Sequence, residues 1–286
     1  MPTALARAGD PARRATGVSR LFACWGSVWD VTEPRRAYLI VGNPRTGSSV
    51  LARALTETGR MGRPEEYFWR WQEIQWASRF GLPAPDESNY AAYVREALQY
   101  GTTPNRVFAA KVFWAHAEDL IRRTADIPHL ASLPGHQRFR RVFADDLRAV
   151  FLRRNCLRAA VSLWRAEVSG VWSLPPGEKP PPPPPALDLW RVTLLHALMH
   201  AGEIGWPHLL NSINVDYITL HYEDVTMRLP ESVQRVADFV GIERPHANVP
   251  TIPALSRQAD ATTEQFVEDW RHATGGCTAC EDNSER

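Results

Sequence analysis

One loop in this chain has the residue types and spacing to hold a phosphate: Gly42-Asn43-Pro44-Arg45-Thr46-Gly47-Ser48-Ser49. Two glycines with four residues between them, followed by small hydroxyl residues, have the spacing of a phosphate-binding loop. Gly47 lets backbone N–H groups close on an anion, while Ser48 and Ser49 add hydroxyls. The start of a following helix adds partial positive charge at the same spot. Arg45 is the only cation within the loop. Nucleotide-cleaving versions place a Lys directly after the second Gly, and here that position is Ser48. The pattern therefore favours a nucleotide whose transferable group is not a γ-phosphate. The alternatives are a kinase-like nucleotide enzyme and a non-catalytic nucleotide-binding module. The first needs Lys at position 48 or a metal-binding acid on a neighbouring strand.

A second group of residues follows a later apolar run, Phe151-Leu152-Arg153-Arg154, with Ser162 eight positions beyond Arg154. Arg154 falls at the C-terminal end of a predicted strand, where ligands bind in open α/β sheets, and Ser162 falls two turns into the next helix. The two could hold a second anion, or Arg154 could be an ordinary strand-end charge. Lys111 lies within an otherwise apolar run. It reads either as a charge facing the transferred group or as one at a strand end or helix interface. Cys277 and Cys280 form a lone C-x-x-C, with Cys24 and Cys156 far away. A zinc site needs about four ligands, so no metal site is expected and the pair reads as thiols in a solvated tail.

These residues need a scaffold, and the chain alternates strands and helices. Tyr38–Val41, Val107–Phe113, Ala149–Leu152 and Tyr217–His221 read as strands, and Tyr38–Val41 as a buried parallel one, because it is a continuous apolar run rather than an alternation. Helices are expected over Ser48–Thr58, Trp69–Arg79, Asn89–Tyr100, Cys156–Val168, Leu187–Ile204 and Pro230–Val240. A last short helix should open on a capping box at Thr262-Thr263-Glu264-Gln265. The fold class is α/β: a central parallel sheet flanked by helices. One domain is expected over 37–272, interrupted by a Pro-rich loop at 173–187 whose Pro180–Pro185 run forbids helix or central strand. Residues 1–36 read as a disordered arm and 273–286 as a flexible tail.

Composition narrows the function. The chain has 286 residues, 44% of them hydrophobic, enough for a full core, and a formal net charge of +1. That balance supplies no basic field for nucleic acid. No apolar window is long enough for a membrane span, no secretory signal is apparent, and four Cys do not make a disulfide scaffold. A cytoplasmic address follows as the default.

In order along the chain, four stretches resemble a known family: Tyr38-Leu39-Ile40 through Ser48, Gly62-Arg63-Pro64-Glu65-Glu66-Tyr67-Phe68, Arg154 through Ala166, and Arg257-Gln258-Ala259-Asp260. The family is the sulfotransferases that use 3′-phosphoadenosine 5′-phosphosulfate (PAPS), in particular the bacterial carbohydrate branch typified by trehalose 2-sulfotransferase. The resemblance implies a P-loop NTPase-like sulfotransferase fold with PAPS as co-substrate, spent nucleotide (PAP) as product, and no metal. It implies that Thr46, Gly47, Ser48 and Ser49 wrap the 5′-phosphosulfate, with Arg45 neutralising charge on the bridging oxygen. Arg154 and Ser162 would hold the 3′-phosphate, and Glu66 would be the general base. The acceptor would be a carbohydrate or glycolipid hydroxyl, and the protein a homodimer. Tyr67, Phe68, Trp69 and Trp71 could stack on sugar faces or could simply be core. The chain departs from the branch at Thr46, where Ser is commoner, at Asn155-Cys156, where an Asp is often near, and in its proline loop.

Overall fold

The structure, a computed structural model, describes residues 34–144, 146–175, 177–243 and 260–276. Four strands form one parallel sheet: β1 (Arg36–Gly42), β2 (Val107–Phe113), β3 (Leu147–Arg153) and β4 (Asp216–His221), in the order β2-β1-β3-β4. The chain leaves β1 for β2 on one side, then returns to add β3 on the other. The C-terminal end of β1 is therefore the crevice where such sheets bind ligands. Gly42 pairs with Phe113 on one side and Leu152 on the other, so three strands end level beneath the loop.

Along β1, side chains alternate between two cores. Ala37, Leu39 and Val41 pack with α2 (Arg70–Arg79), α3 (Tyr90–Gly101), α4 (Trp114–Arg123), α5 (Gly135–Arg141) and α7 (Leu189–Ser212). Tyr38 and Ile40 pack on the other face with α1 (Ser48–Glu57), α8 (Tyr222–Met227) and α9 (Leu229–Val240). Burial on both faces explains why β1 is an apolar run. A third cluster joins α6 (Cys156–Ser169), α7 and α10 (Ala261–Thr274).

Two sequence expectations are corrected. The long helix does not stop at Ile204; it runs to Ser212 through Pro207. Pro inside a helix removes one backbone hydrogen bond, but Trp206 and Leu210, both fully buried, anchor the extension. The last helix is capped earlier than expected. Asp260 is the N-cap, accepting from the Thr263 N–H, and Thr263 closes the box from N3. A carboxylate two residues upstream displaces the Thr as cap, and Arg165 holds it in place from α6. The stretch 114–143, to which no elements had been assigned, contains α4 and α5. Between α6 and α7 the described part of the Pro-rich loop is neither helix nor strand, and Pro180, Pro181, Pro182 and Pro184 line a groove with Ser162, Arg165 and Thr263.

Candidate active site

The loop after β1 is held from below by α7. The indole N–H of Trp206 donates to the Gly42 carbonyl at 3.0 Å, and the Asn43 amide donates to the Met199 carbonyl at 2.7 Å. Thr46 is buried, and its hydroxyl donates to the Asn43 carbonyl at 2.8 Å. Gly42 must be glycine: a Cβ there would sit 2.5 Å from the Leu152 carbonyl oxygen. Gly47 turns the chain into α1 in the left-handed region, φ 82°, with no side chain capping the helix. The first N–H groups of α1 thus open onto the crevice, a favourable place for an anion. Arg45 also has a left-handed backbone, φ 68°. For a residue with a Cβ that costs on the order of 1–3 kcal/mol and persists only where the surroundings impose it. Arg154 imposes it here, donating to the Arg45 carbonyl at 2.7 Å.

On the β2 flank, one chain of polar contacts leads away from the loop. Lys111 projects from β2, buried, with its Nζ 3.4 Å from Ser49 Oγ and 2.9 Å from Glu66 Oε1. Gln72 donates to the other carboxylate oxygen of Glu66 at 3.2 Å. Glu66 is brought there by its own strand-like segment: the Lys111 N–H donates to the Glu65 carbonyl at 2.8 Å, a parallel bridge beside β2. Next to Gln72, Glu73 is buried in an ion pair with Arg123 of α4. Burial pushes the Glu73 carboxyl up, and the Arg123 guanidinium pulls it back down. Trp69 stacks on His116, ring centroids 5.4 Å apart at 25°, close enough that Glu66 acts on the imidazole. Burial outweighs that charge and holds His116 below the usual histidine range, hence neutral at pH 7.

On the β3 flank two guanidinium groups converge. Arg45 Nε donates to Ser162 Oγ at 3.0 Å, and its other end donates to the Trp172 carbonyl. Arg154 is buried beneath it, 4.0 Å over the Tyr222 ring. Desolvation and the Arg154 charge bring Arg45 down to about 10. Tyr222 also covers the turn, since a Cβ on Gly47 would meet its ring at 3.3 Å. Just beyond, Arg153 donates to Glu203 of α7 at 2.6 Å.

The loop residues, Lys111, Glu66, Arg154 and Ser162 therefore share one sheet edge. Of the aromatic cluster, Tyr67 and Phe68 are core, Trp71 is exposed, and Trp69 alone faces this group. Arg257, Gln258, Ala259, Cys277 and Cys280 lie outside the described residues. Sequence reasoning missed Asn43, Gln72, His116, Trp206 and Tyr222. Tyr222 follows the end of β4 and Asn43 follows Gly42, so strand ends could have flagged both. Nothing in sequence links Trp206 to a carbonyl 164 positions away.

A family model of the Stf0 sulphotransferases matches residues 37–273. The chain belongs to the Stf0 sulphotransferase family. It is 27% identical over 258 residues to a trehalose 2-sulfotransferase of Mycolicibacterium smegmatis, covering 82% of this chain and 94% of that protein. It is 25% identical over 268 residues to a trehalose 2-sulfotransferase of Mycobacterium tuberculosis, with the same coverage, 82% and 94%. Among solved structures, a sulfotransferase from Alicyclobacillus acidocaldarius aligns at 13% identity and a TM-score of 0.48, over 87% of this chain and 99% of that one. The chain is thus a sulfotransferase of the Stf0 family, with its loop at the C-terminal edge of a parallel sheet. No helix among the described residues is long and apolar enough to cross a membrane.

Proposed function

We propose that this Stf0 sulphotransferase moves a sulfuryl group from PAPS to a hydroxyl of a neutral carbohydrate or glycolipid head group, with a trehalose-like disaccharide as the first candidate. The observation that carries the reading is the side-chain chain Ser49–Lys111–Glu66: a cation and a carboxylate 2.9 Å apart at the mouth of an anion loop. The trehalose 2-sulfotransferase relatives support the choice of acceptor class.

In this reading the backbone N–H groups of Gly47, Ser48 and Ser49 and the start of α1 bind the 5′-phosphosulfate. Thr46 contributes through its backbone, since its hydroxyl is spent on the Asn43 carbonyl. Arg154 and Ser162 take the 3′-phosphate. Arg45, reaching Ser162, spans the space between the two anionic groups. The acceptor lies over Trp69 with one hydroxyl against Glu66. The hydroxyl proton passes to Glu66 as its oxygen bonds to sulfur. The bond from sulfur to the phosphate oxygen breaks, and PAP leaves carrying the bonding pair. Transfer between two in-line oxygens is mostly positioning and charge stabilisation. Lys111 and the loop amides meet the charge that develops on the sulfuryl and leaving oxygens.

The test is incubation of the pure protein with radiolabelled PAPS and a panel of neutral sugars and glycolipids that includes trehalose. Label on a neutral sugar or glycolipid is the expected result. Tight PAP binding with no acceptor labelled would sink the catalytic reading and leave a binding module.

A further inference from the structure

Two of the imidazoles on helix α7 face each other, and the proposed chemistry does not use them. His196 and His200 are four residues apart, so they share a helix face. Their Nε2 atoms lie 3.0 Å apart, and the rings meet edge to face at 81°. A single proton bridges such a pair, donated by one ring and accepted by the other. Both rings are half-buried, so water reaches them. An ion that replaces the proton would meet two ring nitrogens already converging on one side of the helix.

The separation bears on which ion fits best. Metal–imidazole bonds are about 2.0–2.1 Å, and two of them to nitrogens at this spacing enclose roughly 94°. That is short of the tetrahedral angle of about 109° that zinc favours. It is close to the angle of about 90° found in tetragonal and octahedral sites of Cu(II) and Ni(II). Among the described residues no group of three or more His, Cys, Asp or Glu is placed to hold a metal, and the two imidazoles stand there as a pair. We propose that His196 and His200 form a two-imidazole site for a divalent ion of the copper or nickel class. The site lies against Trp270, whose ring is 4.8 Å from that of His196 and whose indole N–H donates to Thr193 Oγ1. A paramagnetic ion bound there would quench that tryptophan. The proposal is independent of the sulfuryl-transfer reading.

The experiment uses the full chain without a purification tag. Titration with Ni(II) in a calorimeter, and with Cu(II) followed by electron paramagnetic resonance and tryptophan fluorescence, should give a site with two equatorial nitrogens. His196→Gln and His200→Gln should each weaken binding about 10–100-fold or more, judged against the cost of losing a ligand's outer-shell partner. They should also abolish the quenching. His208→Gln, an exposed position on the same helix, should leave both unchanged. Circular dichroism confirms that each variant is folded. Wild-type protein that binds neither ion, a single-nitrogen spectrum, or folded His196→Gln and His200→Gln variants that bind as wild type would each overturn the proposal.

Discussion

The two flanks of the loop are built on opposite electrostatic plans. On the β2 side each charge meets its opposite: Lys111 faces Glu66, and Glu73 faces Arg123. The β3 side also has opposite-charge pairs, Arg153 with Glu203 and Arg165 with Asp260, but there two like charges are brought together as well, Arg154 under Arg45, close enough that one lowers the affinity of the other for its proton. A balanced pair suits a group that must receive a proton and give it up. A forced concentration of positive charge is stabilised by an anion and suits a group that must grip one. In the proposed reading, turnover therefore lives on one flank and donor affinity on the other, with the loop between them.

Separating those two quantities tests the contrast. Glu66→Gln should fold, bind PAP as wild type does, and lose about 10²–10⁴-fold in transfer rate. Wild-type turnover would remove Glu66 from the chemistry. Arg154→Ala should weaken PAP binding about 10–100-fold, the worth of one charged hydrogen bond. The loss should be much smaller for adenosine 5′-phosphosulfate, which lacks the 3′-phosphate. Equal losses on both nucleotides would mean that Arg154 only braces the Arg45 turn. Gly202→Ala probes the support beneath both flanks. A Cβ at 202 would come within 2.1 Å of the Asn43 side chain. It should cost about 1–3 kcal/mol of stability, read as a lower Tm, and weaken nucleotide binding. Unchanged melting would show that Asn43 moves freely.

The smallest effect concerns the outer tie of the β3 flank, Arg165 to Asp260. The Asp260 carboxyl is held down to about 2, chiefly by Arg165. A depressed carboxyl stabilises the fold above its unfolded pKa of about 3.9 and loses that contribution as pH falls toward 2. The pair is partly exposed, so acid denaturation of Asp260→Asn should differ from wild type by less than about 1 kcal/mol. A larger difference would mark this tie as structural for α10.

The strands and the loop were legible in the sequence because local rules govern them. Burial on both faces makes apolar runs, and a phosphate loop has fixed glycine spacing. Glu66 stood out only through the family resemblance, since a Glu-Glu pair on a surface-like segment has no local signature. Its neighbours on the β2 flank were hidden because non-local pairing positions them. Beside Gln72, Glu73 meets Arg123, fifty residues away. The cap at Asp260 was misplaced for the same reason: Arg165, 95 residues earlier, helps choose it. The extent of α7 was underestimated because Pro207 signals a stop locally, and only tertiary burial of Trp206 overrides it.

Met199, Gly202 and Trp206 lie along one face of α7, each touching the segment Gly42–Asn43. Helix and turn are therefore geared together. Sliding the helix by a single residue would strip both carbonyl contacts and drive a side chain into the amide of Asn43. Any tilt imposed on those 24 residues, from either end, must be felt at the mouth of the sheet.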